Sequence, residues 1–303
     1  MNAATAAIHV ELLKARRSRL PWVTAAAFTV AGTFGGLIMF ILQDPRRARS
    51  LGLLGTKASL TGGTADWPAY FALLAQTVAV GGAVLFGLVV VWLFGREFGQ
   101  DTVKDLLALP TARTTIVGAK FAVATVWSLL LACYLFVVGL LVGAVIGLPG
   151  WSAGVALHGL ADLLLTTVLT VVLVTPFALA ASAGRGYLAG VAAMIAAVFS
   201  AQVVTLLGYG RYFPWSVPAL YTHLAGPDGD PPGALGFALV ALVGIAGVAA
   251  TAVARAFVRE RAEQWGCPRW STTERWSRRS WSPTSSSTRG SAPRSTSNCA
   301  GTC

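Results

Sequence analysis

His158 and Asp162 stand four residues apart in a strongly apolar stretch of the chain, so on a helix they share a face. An ionisable pair inside a lipid-crossing segment is costly enough to signal function. Such a pair could pass a proton and serve a carrier driven by an ion gradient. It could equally sit in the wet outer interface, because the apolar segment from Val155 to Ser182 is longer than a crossing requires. Thr166 and Thr170, further along with Thr167, Thr175 and Pro176, could add hydroxyls to a translocation path or kink the helix. More commonly such threonines return the hydroxyl to their own backbone. An intramembrane enzyme would need paired acids, a histidine cluster or a serine with a base, and only His158 with Asp162 comes near. No catalytic residue is assigned, and the chain reads as a non-enzyme. Cys133, Cys267, Cys299 and Cys303 show no C-x-x-C spacing, so neither a zinc site nor a disulfide framework is expected.

The other chemically dense stretch is Arg96–Lys120, "REFGQDTVKDLLALPTARTTIVGAK", a mixed-charge segment between two apolar runs. Asp101 can cap a short helix, "TVKDLLAL", and Pro110 stops it by removing a backbone donor and crowding the preceding turn. Val103, Leu106 and Leu107 fall on one side of that helix while Lys104 and Asp105 point elsewhere. Thr111 can cap the next helix, which leads through Arg113 and Lys120 into an apolar run. The product is a short rigid element with an apolar knob ringed by charge, suited to docking in a groove of a soluble partner. A loop whose charges only fix topology would not need the cap, the proline stop and the Val/Leu/Leu side together. No G-x-x-x-x-G-K-[ST] phosphate loop is present; "GLLGTK" at 52–57 has the wrong spacing. ATP chemistry, if used, must then come from another polypeptide.

These residues need a bilayer to position them. With 55% hydrophobic residues, 12% charged residues and a mean hydropathy of +0.67, the 303-residue chain lies outside the soluble globular range. We read six spans, Trp22–Leu42, Phe71–Phe94, Phe121–Ile146, Leu163–Ser182, Tyr187–Leu207 and Ala234–Ala254. The net charge of +11 gathers at span ends and in the tail rather than in a stripe with interleaved aromatics, so nucleic acid is not an expected partner. Lys14, Arg16, Arg17, Arg19, the basic residues of Arg96–Lys120, Arg185, Arg255, Arg259 and Arg261 place twelve cations on one side. Arg46, Arg47, Arg49, Lys57 and Arg211 place five on the other, which predicts a multi-pass cell-membrane protein with both termini cytoplasmic.

Residues 1–21 form the N-terminal region, 22–255 the six-span domain and 256–303 a cytoplasmic tail. "IHVELLKARRSRL", Ile8 to Leu20, makes an imperfect amphipathic helix with Glu11, Lys14 and Ser18 on one side. It could lie on the membrane with its cations toward anionic lipid, or be an ordinary charged flank; Pro21 then breaks it and Trp22 anchors the first span. In the aromatic loop "YFPWSVPALY", interfacial anchoring and a short re-entrant hairpin helping to close an outer gate are both open readings. The tail, rich in Ser, Thr and Arg, has no structural period from about residue 267 and is expected to be disordered. Its abrupt change of character is the pattern a shifted reading frame would leave.

The order Glu97-Phe98, a polar turn, Lys104, Leu106-Leu107, Pro110, Thr111, Arg113 and then Lys120 resembles the first cytoplasmic loop of permease subunits of ABC-2-type ABC transporters, and most of all their bacitracin- and lantibiotic-immunity branch. The likeness covers roughly residues 5 to 262. It implies an all-α membrane protein of six transmembrane helices with an N-terminal interfacial elbow helix and a short cytoplasmic coupling helix. It also implies a soluble ATPase subunit that carries ATP and Mg, no cofactor on this chain, a second permease copy and contact with membrane lipid. Glu97, Asp101, Val103, Lys104, Leu106, Leu107, Pro110 and Arg113 would then serve ATPase coupling. Export of a peptide antibiotic, and hence antibiotic resistance, comes from the resemblance alone, with a lipid or other hydrophobic solute as further cargo.

Overall fold

The computed structural model describes residues 3–44, 64–99, 113–224 and 232–264. Asp101, Val103, Lys104, Leu106, Leu107 and Pro110 lie outside the described residues, as do the tail from Cys267 and the side chain of Arg113.

Runs of Ala, Leu, Val and Phe with few breakers form long helices, and no strand occurs among the described residues. The order is α1 (Ala3–Arg16), α2 (Leu20–Gln43), α3 (Trp67–Thr77), a π turn (Val78–Gly82), α4 (Ala83–Gly99), α5 (Arg113–Ile146), α6 (Ala153–Ala183) and α7 (Tyr187–Leu206). Two 3-10 turns (Gly210–Tyr212, Pro214–Ser216), α8 (Val217–Tyr221) and α9 (Ala234–Gln264) follow. Among the described residues six helices are long and apolar enough to cross a membrane: Leu20–Gln43, Trp67–Glu97, Thr114–Ile146, Ala153–Ala183, Tyr187–Leu206 and Ala234–Arg255.

The second and fourth spans begin earlier than their apolar runs because polar caps start the helices. Asp66 accepts from Ala69 N at 2.9 Å and Ser152 accepts from Val155 N at 3.1 Å. Between α5 and α6 the chain reverses through Gly147 (φ 74°) and Gly150 (φ 82°), where a side chain would be strained. Gly147 N and Leu148 N both donate to Gly143 O, closing the end of α5.

The break after α1 differs from the sequence expectation. It lies ahead of Pro21, at Ser18, whose hydroxyl donates to Ala15 O at 2.6 Å and accepts from Leu20 N at 3.2 Å. Pro21 instead stands in the first turn of α2, where its missing donor costs nothing.

α6 is the centre of the bundle, packed against α3, α4, α5, α7 and α9, while α2 and α1 lie on α5. Pro176 inside α6 deprives the Val172 carbonyl of its helical donor. Thr175 Oγ1 donates to that carbonyl at 2.8 Å and also reaches Gly244 O of α9 at 3.3 Å, so the break is repaired and used for packing. The second and fourth spans are 61% buried over their apolar windows and the fifth only 11%, so the fifth turns most of its apolar surface outward from the bundle.

Candidate functional site

Alternating helix direction brings α1, the end of α4, the start of α5, the end of α6 and the late part of α9 to one end of the bundle. There the charged side chains form a single buried chain of contacts. Lys14 Nζ pairs with Glu11 Oε1 at 3.0 Å, and Glu11 Oε2 accepts from Lys120 Nζ at 2.9 Å. Lys120 Nζ also pairs with Glu97 Oε1 at 2.8 Å and donates to Leu93 O at 3.0 Å. Arg255 completes the hub: Nη1 donates to Glu97 Oε2 at 2.7 Å, Nη2 to Phe94 O at 3.2 Å and Nε to Ser182 Oγ at 3.3 Å. The Phe94 ring lies beneath both cations, 4.9 Å from the Arg255 guanidinium carbon and 5.9 Å from Lys120 Nζ.

Burial makes these pairs strong constraints. Lys120 is 1% exposed, Glu11 4% and Glu97 6%, so none of the three can be neutralised by water. Removing one partner of such a pair leaves an uncompensated buried charge, at a cost of about 3–5 kcal/mol. The lysine presents three donors and has three oxygens within reach, and the guanidinium fork is matched by a carboxylate, a carbonyl and a hydroxyl. The hub has no open position for a substrate. What it can do is hold five helices in one relative arrangement.

Glu97 and Lys120 lie on the two helices that flank the undescribed segment 100–112, Glu97 shortly before it and Lys120 beyond it on α5. The ion pair between them ties α4 to α5.

The opposite end is built mainly from aromatic rings and neutral hydrogen bonds, with Asp66 and Asp162 as acceptors. Trp67 packs edge-on to Trp151 with ring centroids 4.8 Å apart, and the Trp67 backbone N–H donates to Pro149 O at 3.1 Å. The Trp67 ring lies over Gly143, where an added Cβ would come within 2.6 Å of it. Gln43 Nε2 donates to Gly147 O at 3.3 Å. Tyr221 OH donates to Asp162 Oδ1 at 2.8 Å, and burial, then that hydrogen bond, then the Asp162 charge push the phenol pKa from 10.0 up to about 12. His158, exposed, has Nδ1 2.8 Å from Gly154 O. His158 and Asp162 are thus each engaged elsewhere at the rim. Thr166 and Thr170 are buried and return their hydroxyls to Asp162 O and Thr166 O at 2.7 and 2.8 Å.

The aromatic loop turns back into the bundle. Trp215 Nε1 donates to Leu173 O at 3.2 Å, about 16 Å further along α6 than Asp162, which Tyr221 reaches. Ser216 is buried and its hydroxyl accepts from Thr205 Oγ1 at 3.1 Å; Val217 packs with Leu169, Leu173 and Val240. Of the two readings of "YFPWSVPALY", this path matches the re-entrant hairpin.

Residues 7–202 match the ABC-2 family transporter protein family. The chain belongs to that family. A curated relative, the bacitracin transport permease protein BCRB of Bacillus licheniformis, is 27% identical over 175 residues, which span 57% of this chain and 82% of the relative. No solved structure matches.

The protein is thus an ABC-2 transport component, a multi-pass membrane protein of the permease type, and membership implies a partner ATPase subunit. The family match spans every member of the hub except Arg255. Of the residues singled out for coupling, the structure describes the side chain of Glu97 alone. Sequence reasoning weighed Glu11 only as part of a wet helix face and Arg255 only as a topogenic charge. The signals that could have found them were present: Glu11 is the one acid of the N-terminal helix, and Arg255 interrupts the apolar run of α9.

Proposed function

We propose that this ABC-2 permease takes up the motion of a separate ATPase through segment 100–112 and that the Glu97–Lys120–Arg255 hub spreads it to the spans. The observation that carries the reading is the buried 2.8 Å pair between Glu97 and Lys120, on the helices to either side of that segment. A short element clamped at its base cannot be displaced alone. A push on it must move α4 and α5 together and, through Arg255 and Glu11, bring α9 and α1 with them, a rigid-body transmission.

The hub end faces the cytoplasm in this reading, since the sequence places most of its cations there. The coupling helix "TVKDLLAL" would present Val103, Leu106 and Leu107 to the ATPase, with Asp101, Lys104 and Arg113 around them and Pro110 as its stop. ATP and Mg belong to the partner, two permease copies enclose the path, and the re-entrant loop closes its outer end. The cargo is a bacitracin-like peptide antibiotic or another hydrophobic solute moved outward, which the kinship with a bacitracin transport permease supports.

The test is co-purification of the partner ATPase subunit with this chain. Leu106→Asp should release it from membranes, by a factor of about ten or more for a lost central apolar anchor, while the permease stays inserted. Undiminished co-purification would remove segment 100–112 as the docking element.

A further inference from the structure

The re-entrant hairpin ends in a turn that does not satisfy its own backbone. α8 closes with Thr222 N donating to Pro218 O at 3.2 Å, His223 N to Leu220 O at 3.1 Å and Leu224 N to Ala219 O at 3.0 Å, and His223 takes the left-handed conformation (φ 54°). This pattern satisfies the carbonyls of the last helical turn, then leads the chain away before the Thr222 carbonyl meets a helical donor. A residue other than glycine is strained in that conformation, so the turn persists only where its surroundings hold it. Thr222 is buried, which makes water a poor partner for its carbonyl. The donor comes from another element: Gln76 Nε2 reaches Thr222 O at 3.1 Å.

Gln76 stands at the end of α3, just before the π turn Val78–Gly82, and that turn packs against both α6 and α8. Beyond the π turn, α4 carries Glu97 into the hub. The second span therefore meets the ion pairs at one end and the hairpin, through Gln76, further out. Other ties of the hairpin lead elsewhere, from Trp215 and Tyr221 to α6 and from Ser216 to Thr205 of α7. Gly81 and Gly82 ease departure from α winding in the π turn, and an added Cβ at Gly81 would meet nothing within 4 Å. A change of winding there turns α3 against α4 by up to about 100°, which takes the Gln76 amide out of reach of the Thr222 carbonyl.

We infer that Gln76 is a positioning residue for the outer gate: by holding or releasing the Thr222 carbonyl, its amide passes to the re-entrant hairpin the displacement that the second span receives at Glu97. A neutral amide suits this place, because a charged donor within an apolar span would be costly. The bond is made in the structure, with the hairpin seated against α6. Its loss leaves the strained turn at His223 without the support of α3 while the contacts with α6 and α7 remain. The inference rests on the reading that an ATPase drives the spans and that the hairpin closes the outer end of the path, and it is independent of cargo.

The test is hydrogen exchange followed by mass spectrometry on the full chain in lipid nanodiscs, alone and with the partner ATPase subunit. Gln76→Met keeps the length of the side chain and removes its donor. On the permease alone it should speed exchange of the amides of 222–224 by about fivefold, the worth of one hydrogen bond. In the parent complex, trapping the ATPase with ATP and vanadate should raise exchange over 214–224, and in Gln76→Met that nucleotide-dependent difference should vanish. Gln43→Met, which removes another neutral donor at the same end of the bundle, should leave both readings as in the parent. An unchanged basal rate in Gln76→Met, a nucleotide difference that survives in it, or a parent complex whose hairpin ignores nucleotide would each overturn the role of Gln76. A merely structural defect would raise exchange in both nucleotide states alike and keep their difference. Gln76→Asn, whose amide falls one methylene short, takes the place of Gln76→Met if the latter does not fold. Co-purification separates the two failures: a parent that binds no ATPase overturns the driving reading, and the inference with it, whereas a bound ATPase with an unaltered response in Gln76→Met overturns the inference alone.

Discussion

The two ends of the bundle hold themselves together by different physics. At one, buried ion pairs among Glu11, Lys120, Glu97 and Arg255 tie four helices, two of the pairs between residues more than a hundred positions apart, and the hydrogen bond from Arg255 to Ser182 adds α6. At the other, Trp67, Trp151 and Gln43 rely on ring contacts and neutral donors to backbone carbonyls, while Asp66 caps α3 and Asp162, at the exposed rim, accepts from Tyr221. Buried ion pairs are directional and expensive to separate, so the first end moves as a block. Aromatic and neutral contacts lose little when they slide, so the second end can part. That asymmetry is in keeping with the proposed drive from the hub end.

The comparison is broken most severely at the hub. Glu97→Ala strands Arg255 without a counter-charge and leaves Lys120 with Glu11 alone, and should cost about 3–5 kcal/mol, read as a large fall in the thermal midpoint of the detergent-purified protein. A variant that melts like the parent would show that the pairs do not lock the helices. At the neutral end, bulk should matter more than charge. Gly143→Val drives methyl groups into the Trp67 ring, and overpacking of this kind costs about 1–3 kcal/mol; a smaller fall in the same melt is expected.

The smallest effect belongs to Tyr221→Phe, which removes one hydrogen bond at about 0.5–1.5 kcal/mol. Its pH signature sharpens the contrast. The Tyr221 pKa is raised on folding, so its contribution is complete below about pH 10 and fades as pH rises through about 12. A spectroscopic titration of tyrosinate, parent against Tyr221→Phe, should lose its latest-titrating phenol among those outside the spans. Loss of an ordinary phenol instead would mean that Asp162 and burial do not act on Tyr221.

Much of this architecture could be read from residue order, and the hub could not. Six apolar runs separated by charged or proline-rich connections announce six crossings because a bilayer allows few alternatives. Asp66 and Ser152 extended two spans past their apolar windows, since capping is a side-chain event that hydropathy averaging does not register. Glu97 was conspicuous as an acid closing an apolar run, yet its partners come from α5, α9 and, through Lys120, α1, and no local period links such positions. Glu11 was misjudged for the same reason. On a helical wheel it faces water, and only the presence of Lys120 beneath it turns that face inward. The re-entrant course of the aromatic loop needed Leu173 O as a landmark, which composition cannot supply.

The π turn at Val78–Gly82 gives the hub a further meaning. Such a turn carries one residue more than regular helical winding, so tightening it to α-helical form would rotate everything beyond it by about 100°. Glu97, at the far end of the same span, would swing away from both Lys120 and Arg255. The pairs of Glu97 with Lys120 and Arg255 thus fit only the rotational phase that this extra residue sets.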